Sequence, residues 1–475
     1  MYQLENFFNW LSSIVWGPAS WALLLIAGVW LSFKTGWLQV TKFGHYLDRT
    51  IIDMCRKPEN RKSNNATGDG DITPWQAINT AFCATMGVGT LAGTATAIGF
   101  GGPGAIFWMW IVGFFGITTK FSEVTLAMHF RGKNEKGEIL SGPFAYIEKG
   151  LGWKWLAIFF AAAGSIASFG IGNMVQSNSA AAALEMVFGW NRLWIGIIAA
   201  SLIGLVIIGG LKRIAQFVDK FIPALALVCI VSSLLIVLFN ITGVPYAFGL
   251  IFRGAFSAGG LTGGVAGVGV MYAVRFGLMR GVFSNEAGLG SGPIAHAAAQ
   301  TDNPVKQGLW AAFEVFLDTH VMCTLVALVI LLSVPLSEIM PGQAPILTGA
   351  TLVIQSYANS FLGAQIGAWF MAILIGLFGF STVIGWSFYG EKCFEYLFGL
   401  KYIIIYRLVQ IPVCIFGATG GVALIWAMAD VFNASMAITN TFAVVALSGT
   451  VALLTKNYFA DVNAKKHSEN AELRA

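Results

Sequence analysis

"TMGVGTLAG" (residues 85–93) interrupts an apolar run with three glycines and two threonines, at the depth where a membrane-crossing helix should be most regular. Two readings fit it. Gly89 and Gly93 form a Gly-x-x-x-Gly pair, which lets two helices approach closely. Alternatively the helix is discontinuous here, and the backbone groups freed by the break are available to grip a ligand. The second reading makes its own prediction, because such breaks come in pairs: another interrupted span should follow five spans later, at the corresponding place of an inverted repeat.

The surrounding chain has the composition of a protein that lives in lipid. Of its 475 residues 56% are hydrophobic and only 11% charged, with 37 Phe and 16 Trp. Crossing the bilayer core takes about 20 apolar residues. Eleven stretches qualify, at roughly 15–37, 75–98, 104–129, 153–185, 193–211, 217–240, 264–299, 308–335, 361–389, 402–420 and 432–455. The last two are the least regular, since 400–455 can also be cut with a short interfacial helix around "WAMADVF". The start, "MYQLENFFNW", lacks the basic n-region of a signal peptide and reads as an amphipathic segment.

Lys and Arg set the orientation. With eleven spans, Lys42, Arg49, Arg56, Lys57, Arg61 and Lys62 fall on one side, together with Arg131, Lys133, Lys136, Lys212, Arg213, Lys220, Lys392, Lys401, Arg407, Lys456, Lys465 and Lys466; the opposite loops hold Arg192 and Arg253. The positive-inside rule then predicts a multi-pass protein of the plasma (inner) membrane with its N-terminus outside and its C-terminus in the cytoplasm. The net charge of +5 follows from this asymmetry and requires no nucleic-acid partner. Cys55, Cys83, Cys229, Cys323, Cys393 and Cys414 contain no CxxC and none lies in a clear external loop, so neither disulfides nor a metal cluster is expected.

The predicted second interruption is present. "RGVFSNEAGLGSGPIAHAAA" (280–299) places Ser284, Asn285 and Glu286 before Gly288 and Gly290, with apolar sequence on both sides. An ionised carboxylate at mid-depth costs roughly 3 kcal/mol or more on a lipid-facing helix, so the segment is either a second discontinuous helix or a cytoplasmic loop between two half-length segments. The first option divides the chain into an N-terminal helix and basic cytoplasmic loop (1–72), a first inverted repeat (73–240, spans two to six), a second (241–456, spans seven to eleven) and a cytoplasmic tail (457–475).

At these residues the chain resembles the alanine or glycine:cation symporters. "GGPGAIFWMW" (101–110), "TKFSEVTLA" (119–127), "FGIGNMVQ" (169–176), "GVFSNEAGLGS" (281–291) and "FSTVIGWSFYGEK" (380–392) are similar to that family's characteristic stretches and are spread over nearly the whole sequence. The resemblance implies an all-α integral membrane protein of about eleven transmembrane helices: a leucine-transporter-like core of five plus five helices in inverted repeat, with two discontinuous helices and one extra N-terminal helix. It also implies a secondary active transporter, not an enzyme, that couples uptake of a small neutral amino acid, alanine or glycine by default, to sodium. No cofactor is expected beyond sodium as coupling ion; the partners are the amino acid, the ion and the lipid bilayer, and the protein is expected to be a monomer.

Site residues follow from the same resemblance. Gly87, Val88, Gly89 and Thr90 match the unwound Gly-x-Gly-Asn segment, whose amides point at the substrate carboxylate from a helix N-terminus; a Cβ there would hold the carboxylate off the backbone. Phe283 to Gly290 match the second unwound segment, with Phe283 walling the pocket, Ser284 and Ala287 beside the substrate, and Gly288 and Gly290 structural. Glu286 is expected to hold the unwound backbone or to neutralise Arg280 or Arg275. Ser381 and Thr382 would hold sodium together with main-chain oxygens near Cys83 and Met86, with Thr85, Thr90 and Ser284 as further cation ligands; without the resemblance such a Ser-Thr pair reads as bonded to its own helix. Trp386 would close over the substrate and limit it to small side chains.

Other residues are read from spacing. Phe169 and Asn173 share one helix face, as do Gly172 and Gln176, and amides at this depth should face the cavity, with Gln176 the favoured substrate contact. Glu314 and Asp318 stack at i, i+4, so the pair surrounds a cation or one member is protonated; Asp318 is the candidate for a second ion site. His320 reads as a structural histidine. Lys120 and Glu123 read as a structural i, i+3 ion pair near the cytoplasmic end.

The chain departs from the family's Gly-Thr-Gly-Asn pattern at Val88 and Thr90, which leaves open an altered substrate or proton coupling. "GFGGPG" (99–104) lacks the Lys-Ser/Thr of a P-loop, so nucleotide-driven transport is unsupported. A channel would need a continuous polar pore, and a transporter-like nutrient sensor more than a short tail.

Overall fold

The computed structural model describes residues 2–52, 68–256, 268–335, 337, 339, 347–420 and 422–472. Cys55 and the basic residues Arg56, Lys57, Arg61 and Lys62 lie outside them. The described residues are almost entirely helical, apart from a two-stranded hairpin (β1, Gly132–Lys133; β2, Ile139–Leu140).

The helices that frame the site are, in chain order, α1 (Pro18–Lys34), α2 (Pro74–Thr85), α3 (Thr94–Gly101), α4 (Ala105–His129), α5 (Lys154–Phe169), α6 (Val175–Phe188), α7 (Arg192–Ile207), α8 (Gly210–Phe239), α9 (Val268–Asn285), α10 (Gly292–His296), α11 (Pro304–Val315), α12 (Thr324–Ser333), α13 (Ala364–Phe398), α14 (Ile403–Thr419), α15 (Val422–Ala446) and α16 (Ser448–Glu472). Short wide-helix turns join three of these pairs: Gly89–Gly93 leads into α3, Gly170–Met174 joins α5 to α6, and Phe316–Cys323 joins α11 to α12. Such wide turns open the ladder locally and frequently mark functional sites.

Among the described residues six helices are long and apolar enough to cross a membrane, and three further pairs are so if each bent pair is one span: Gln3–Val15 with Pro18–Lys34, Pro74–Thr85 with Gly89–Gly101, and Trp426–Ala446 with Ser448–Ala464. Two of the eleven expected spans fall outside this set. One, α7, is a shorter apolar helix; the other contains α9, which carries Arg275 and Arg280 and ends at the second interruption. The final span differs from expectation. The stretch 432–455 straddles a bend of 60° between α15 and α16, and "WAMADVF" lies inside the long helix α15, not in a short helix of its own.

The polarity of the molecule is inverted relative to a water-soluble protein. Leu202, Leu205, Leu227, Leu234, Ile366 and Ile373 are exposed, whereas Lys120, Glu123, Ser284, His296, Glu314 and Asp318 have no exposed surface. Buried charge is tolerated only when paired and hydrogen-bonded, so the interior polar groups must answer one another. They do so around the two interruptions.

Candidate functional site

The first interruption is a real break. After Thr85 the chain leaves the α-helix: Met86 has φ −76° and ψ 77°, and the axis turns by 45° before the second half begins. Winding is lost at Met86 and Gly87 and resumes at Val88, ahead of the wide turn at Gly89, so the break starts one residue earlier than the Gly87–Thr90 match implies. The first amides of a helix have no acceptor within it, so the half that starts at Gly89 offers its N–H groups and positive dipole end toward the break.

Four consecutive residues there face three different helical segments. A Cβ on Gly87 would overlap Thr382 Oγ1 of α13. Val88 lies against Gly379 of the same helix. A Cβ on Gly89 would come within 3.0 Å of the Phe283 ring of α9. Thr90 donates its hydroxyl to Asp318 Oδ1 at 2.7 Å, with Thr85 O at 3.1 Å. The glycines serve close approach, as the Gly-x-x-x-Gly reading has it, and the helix is broken as well.

The second interruption is also real, and it is inside the protein. Residues 286–291 are non-helical and buried, with positive φ at Glu286 (55°), Gly288 (91°) and Gly290 (80°). The cytoplasmic-loop reading fails on that burial. The break starts later than expected, because α9 persists through Phe283, Ser284 and Asn285. Asn285 explains the persistence: its amide donates to Thr319 Oγ1 (3.0 Å) and its side-chain oxygen accepts the Ala287 N–H (2.9 Å), capping the helix at that point.

Asp318 ties the two breaks together. Its Oδ2 accepts from Ser284 Oγ at 2.7 Å and from Thr319 Oγ1 at 3.3 Å, while Oδ1 accepts from Thr90. Glu314, one turn earlier, faces the same break from below Thr85, whose hydroxyl donates to Oε1 at 3.1 Å. Its Oε2 lies 2.9 Å from His296 Nε2 of α10, and its Oε1 lies 3.5 Å from Lys120 Nζ of α4. Among the described residues no group of three His, Cys, Asp or Glu side chains is placed to hold a metal. The oxygens at Asp318 are instead a mixed set of carboxylate, hydroxyl and carbonyl, the hard donors that suit a small monovalent cation.

Several expected contacts are replaced. Lys120 does not pair with Glu123; its ammonium donates to the Asn285 carbonyl at 3.0 Å and meets Glu314. That carbonyl belongs to the negative end of α9, which draws a cation. Glu123 accepts instead from Asn440 of α15, which also donates to Gly288 O at 2.8 Å and accepts from Tyr146. Both residues are fully buried. Glu286 pairs with neither Arg280 nor Arg275: its carboxylate accepts from Ser291 Oγ at 2.5 Å and faces the Trp386 indole. Arg280 lies over the rings of Trp426 (4.9 Å) and Phe283 (5.4 Å), which stack at 5.6 Å. Ala287 packs on Gly116 of α4, away from the Trp386 side.

Around the fourth expected span the two helix faces separate. Phe169 packs on Tyr406 (4.9 Å), and Asn173 donates to both the backbone and side-chain oxygens of Gln410, so both serve the contact with α14. Gly172 and Gln176 face α13, Gly172 directly under Trp386 and the Gln176 backbone beside Gly379. Gln176 gives its N–H to Ile171 O (3.0 Å) and keeps a buried side-chain oxygen without a partner. Ser381 and Thr382 both donate to Phe378 O at 2.9 Å, the ordinary bond to their own helix; a hydroxyl that donates keeps its lone pairs free. Cys83 reaches α13 as well, donating to Ser381 O at 2.7 Å. His320 stacks on Phe316 (5.8 Å).

Sequence reading named Thr85 and Asn285 without these partners, and missed His296, Thr319 and Asn440 altogether. The signal was present as isolated polar residues inside apolar spans, but their partners lie on other elements, from 18 positions away for His296 with Glu314 to 317 for Asn440 with Glu123.

Comparison with known proteins bears on the whole chain. A family model described as "Sodium:alanine symporter family" matches residues 1–472. The "Sodium/alanine symporter AgcS" of Methanococcus maripaludis is 42% identical over 454 residues, covering 95% of this chain and 96% of that protein. The "Probable sodium/glutamine symporter GlnT" of Bacillus subtilis is 38% identical over 468 residues, covering 98% and 92%. Among solved structures, MhsT crystallised in complex with L-phenylalanine superposes with a TM-score of 0.53 at 14% identity, covering 82% of this chain and 98% of MhsT. That likeness concerns the fold alone, a leucine-transporter-like arrangement of helices.

Proposed function

The chain belongs to the sodium:alanine symporter family, and from that premise we propose that alanine, with glycine as a smaller alternative, binds between the two breaks and enters the cell with sodium. A sodium-coupled symporter of this family is a multi-pass membrane transporter and not an enzyme. Two observations support placing its substrate here. Both breaks are buried, and Trp386 sits over Gly172 beside Glu286, which leaves little depth for a side chain longer than a methyl group.

The observation that carries the reading is the Asp318 carboxylate held by Thr90 from the first break and Ser284 from the second. A sodium ion among Asp318, Thr90 Oγ1, Ser284 Oγ and Thr85 O would turn those hydroxyl lone pairs inward and fix both breaks at once. Substrate carboxylate would then meet the amides at Val88, Gly89 and Thr90, with Gln176 offering its unpartnered oxygen to the substrate ammonium. The second ion is assigned to Thr382 and Ser381, opposite the main chain of Cys83 and Met86. Val88 adds no oxygen to this set, and Thr90 provides one where the family's Asn would provide an amide.

Coupling follows from ordering. An ion that joins the breaks favours the state in which the amino-acid site is assembled, and the two bundles then rock about it. The basic loops are placed in the cytoplasm and the repeats at 73–240 and 241–456, with eleven spans in all. The test is uptake of labelled alanine into proteoliposomes under a sodium gradient, a proton gradient or none, competed by a panel of amino acids. We expect accumulation under the sodium gradient alone, competed by glycine and poorly by glutamine; accumulation under protons alone, or preferential competition by glutamine, would contradict the proposal.

A further inference from the structure

Away from the central site a cavity of about 550 Å³ opens where three basic loops converge, lined by residues that include Lys136, Lys212, Lys392, Lys401 and Arg407 alongside Asp71, Glu138 and Glu391. Each carboxylate has a direct partner other than these lysines. Glu391 holds Arg407 through two bonds of 2.6 Å, Asp71 accepts the Ile139 N–H at 2.8 Å, and Glu138 accepts from Asn134 at 3.1 Å. Lys392 is likewise spent on Glu395 at 2.8 Å. Among the described residues no carboxylate pairs directly with Lys136, Lys212 or Lys401, and the lining as a whole is cationic, with five basic side chains against the three carboxylates of Asp71, Glu138 and Glu391. The start of α8 lines it too, through Gly209 to Lys212, adding the positive end of a 30-residue helix.

The surroundings choose among anions. Two helices whose starts frame the cavity, α8 and α14, are the least buried of the long apolar helices, each 33% buried over its most apolar window, so their outer faces meet lipid. Ile404, on the cavity wall, is itself 47% exposed, and Tyr402 and Ile405 beside it are exposed as well. A free anion would use the ammonium groups and gain nothing from that apolar rim. A lipid uses both, because its phosphate meets the lysines while its acyl chains lie along the isoleucines.

We infer that this cavity binds the phosphate headgroup of an anionic phospholipid. The headgroup bridges the hairpin loop, the α7–α8 corner and the α13–α14 corner, the three connections whose residues line the cavity. A basic group near the membrane surface contributes about fivefold to such binding, so removing all three lysines is worth about 100-fold.

The test uses full-length protein in nanodiscs of phosphatidylcholine titrated with spin-labelled phosphatidylglycerol, the immobilised fraction being read by electron paramagnetic resonance. Wild type is expected to immobilise phosphatidylglycerol in preference to labelled phosphatidylcholine. The triple variant Lys136→Gln, Lys212→Gln, Lys401→Gln is expected to lose that preference by about 100-fold, while Lys154→Gln, on a surface lysine outside the cavity, retains it. Equal immobilisation of the two lipids by wild type, or an unchanged preference in the triple variant, would overturn the inference. So would displacement of the labelled lipid by millimolar inorganic phosphate, which would mark the cavity as a site for a soluble anion; resistance to phosphate supports the lipid.

Discussion

At the scale of single residues, the site is built from close approaches that leave almost no slack. Gly87 meets the Thr382 hydroxyl where a Cβ would stand, and Thr382 lies on α13, which packs on α2 just before the break. Gly87→Ala is therefore expected to reduce sodium-dependent alanine uptake about tenfold, read as initial rate per folded transporter, whereas Gly44→Ala, with nothing within 4 Å of its Cβ, should leave uptake within about twofold; tenfold corresponds to roughly 1.4 kcal/mol, within the roughly 1–3 kcal/mol that overlap in a packed interior costs. Trp386 makes the complementary prediction. Replacing it by Ala removes the wall over Gly172 and opens room beside Glu286, so alanine should bind about tenfold more weakly while leucine and glutamine begin to compete. Competition assays check both halves, and an unaltered substrate panel would place the specificity elsewhere.

At the scale of elements, the two interruptions are held open by quite different means. The first is a loss of winding between two apolar halves, closed by side-chain bonds to Asp318 and Glu314. The second is a left-handed backbone, with Glu286, Gly288 and Gly290 all at positive φ and Asn440 bonded to the Gly288 carbonyl. A Cβ at Gly290 would stand 2.6 Å from Pro143 Cγ and 3.0 Å from Asn440, and left-handed backbone costs a non-glycine residue roughly 1–2 kcal/mol before any clash. Gly290→Ala should accordingly lower the midpoint of thermal unfolding in detergent by several degrees, and lower it more than Gly152→Ala, whose φ of 73° meets open space. Equal shifts would show that backbone strain, and not the packing of this break, is what the substitution reports.

That both interruptions exist was legible, since Ser284, Asn285 and Glu286 in an apolar stretch have no place in a regular lipid-facing helix. Their edges were not, because the cap that carries α9 through Asn285 depends on Thr319, which only the fold brings near. Helix faces were read correctly as pairs: Phe169 goes with Asn173 and Gly172 with Gln176. Which pair faces the site was beyond periodicity, because Gln410, 237 positions away, satisfies Asn173 as fully as a cavity would. The Lys120–Glu123 expectation failed for the same reason: local spacing permits the pair, but Glu314 and the end of α9 present a better site for the ammonium.

At the scale of the whole molecule, the chain turns an apolar surface to lipid and gathers charge along its axis. Glu123, Glu286 and Glu314 are buried around Lys120, and Asp318 is buried on the far side of Glu314 from it, held by hydroxyls and, among the described residues, by no cation, so an added cation at Asp318 would meet an ammonium-free set of oxygens. Basic residues from distant loops, Lys136, Lys212, Lys392, Lys401 and Arg407, line one cavity, in keeping with the grouping that the positive-inside rule assigns to one side of the membrane. The central claim is that Asp318, by joining Thr90 and Ser284, makes amino-acid binding depend on sodium. Equilibrium binding of labelled alanine to purified protein, measured across sodium concentrations for wild type and Asp318→Asn, tests it most directly. The account predicts that sodium tightens alanine binding to wild type, and that Asp318→Asn weakens the apparent sodium affinity by about 10- to 100-fold, as loss of a charge-assisted buried contact of roughly 1.5–3 kcal/mol requires. A variant with the same sodium dependence as wild type, or wild-type binding indifferent to sodium, would contradict it.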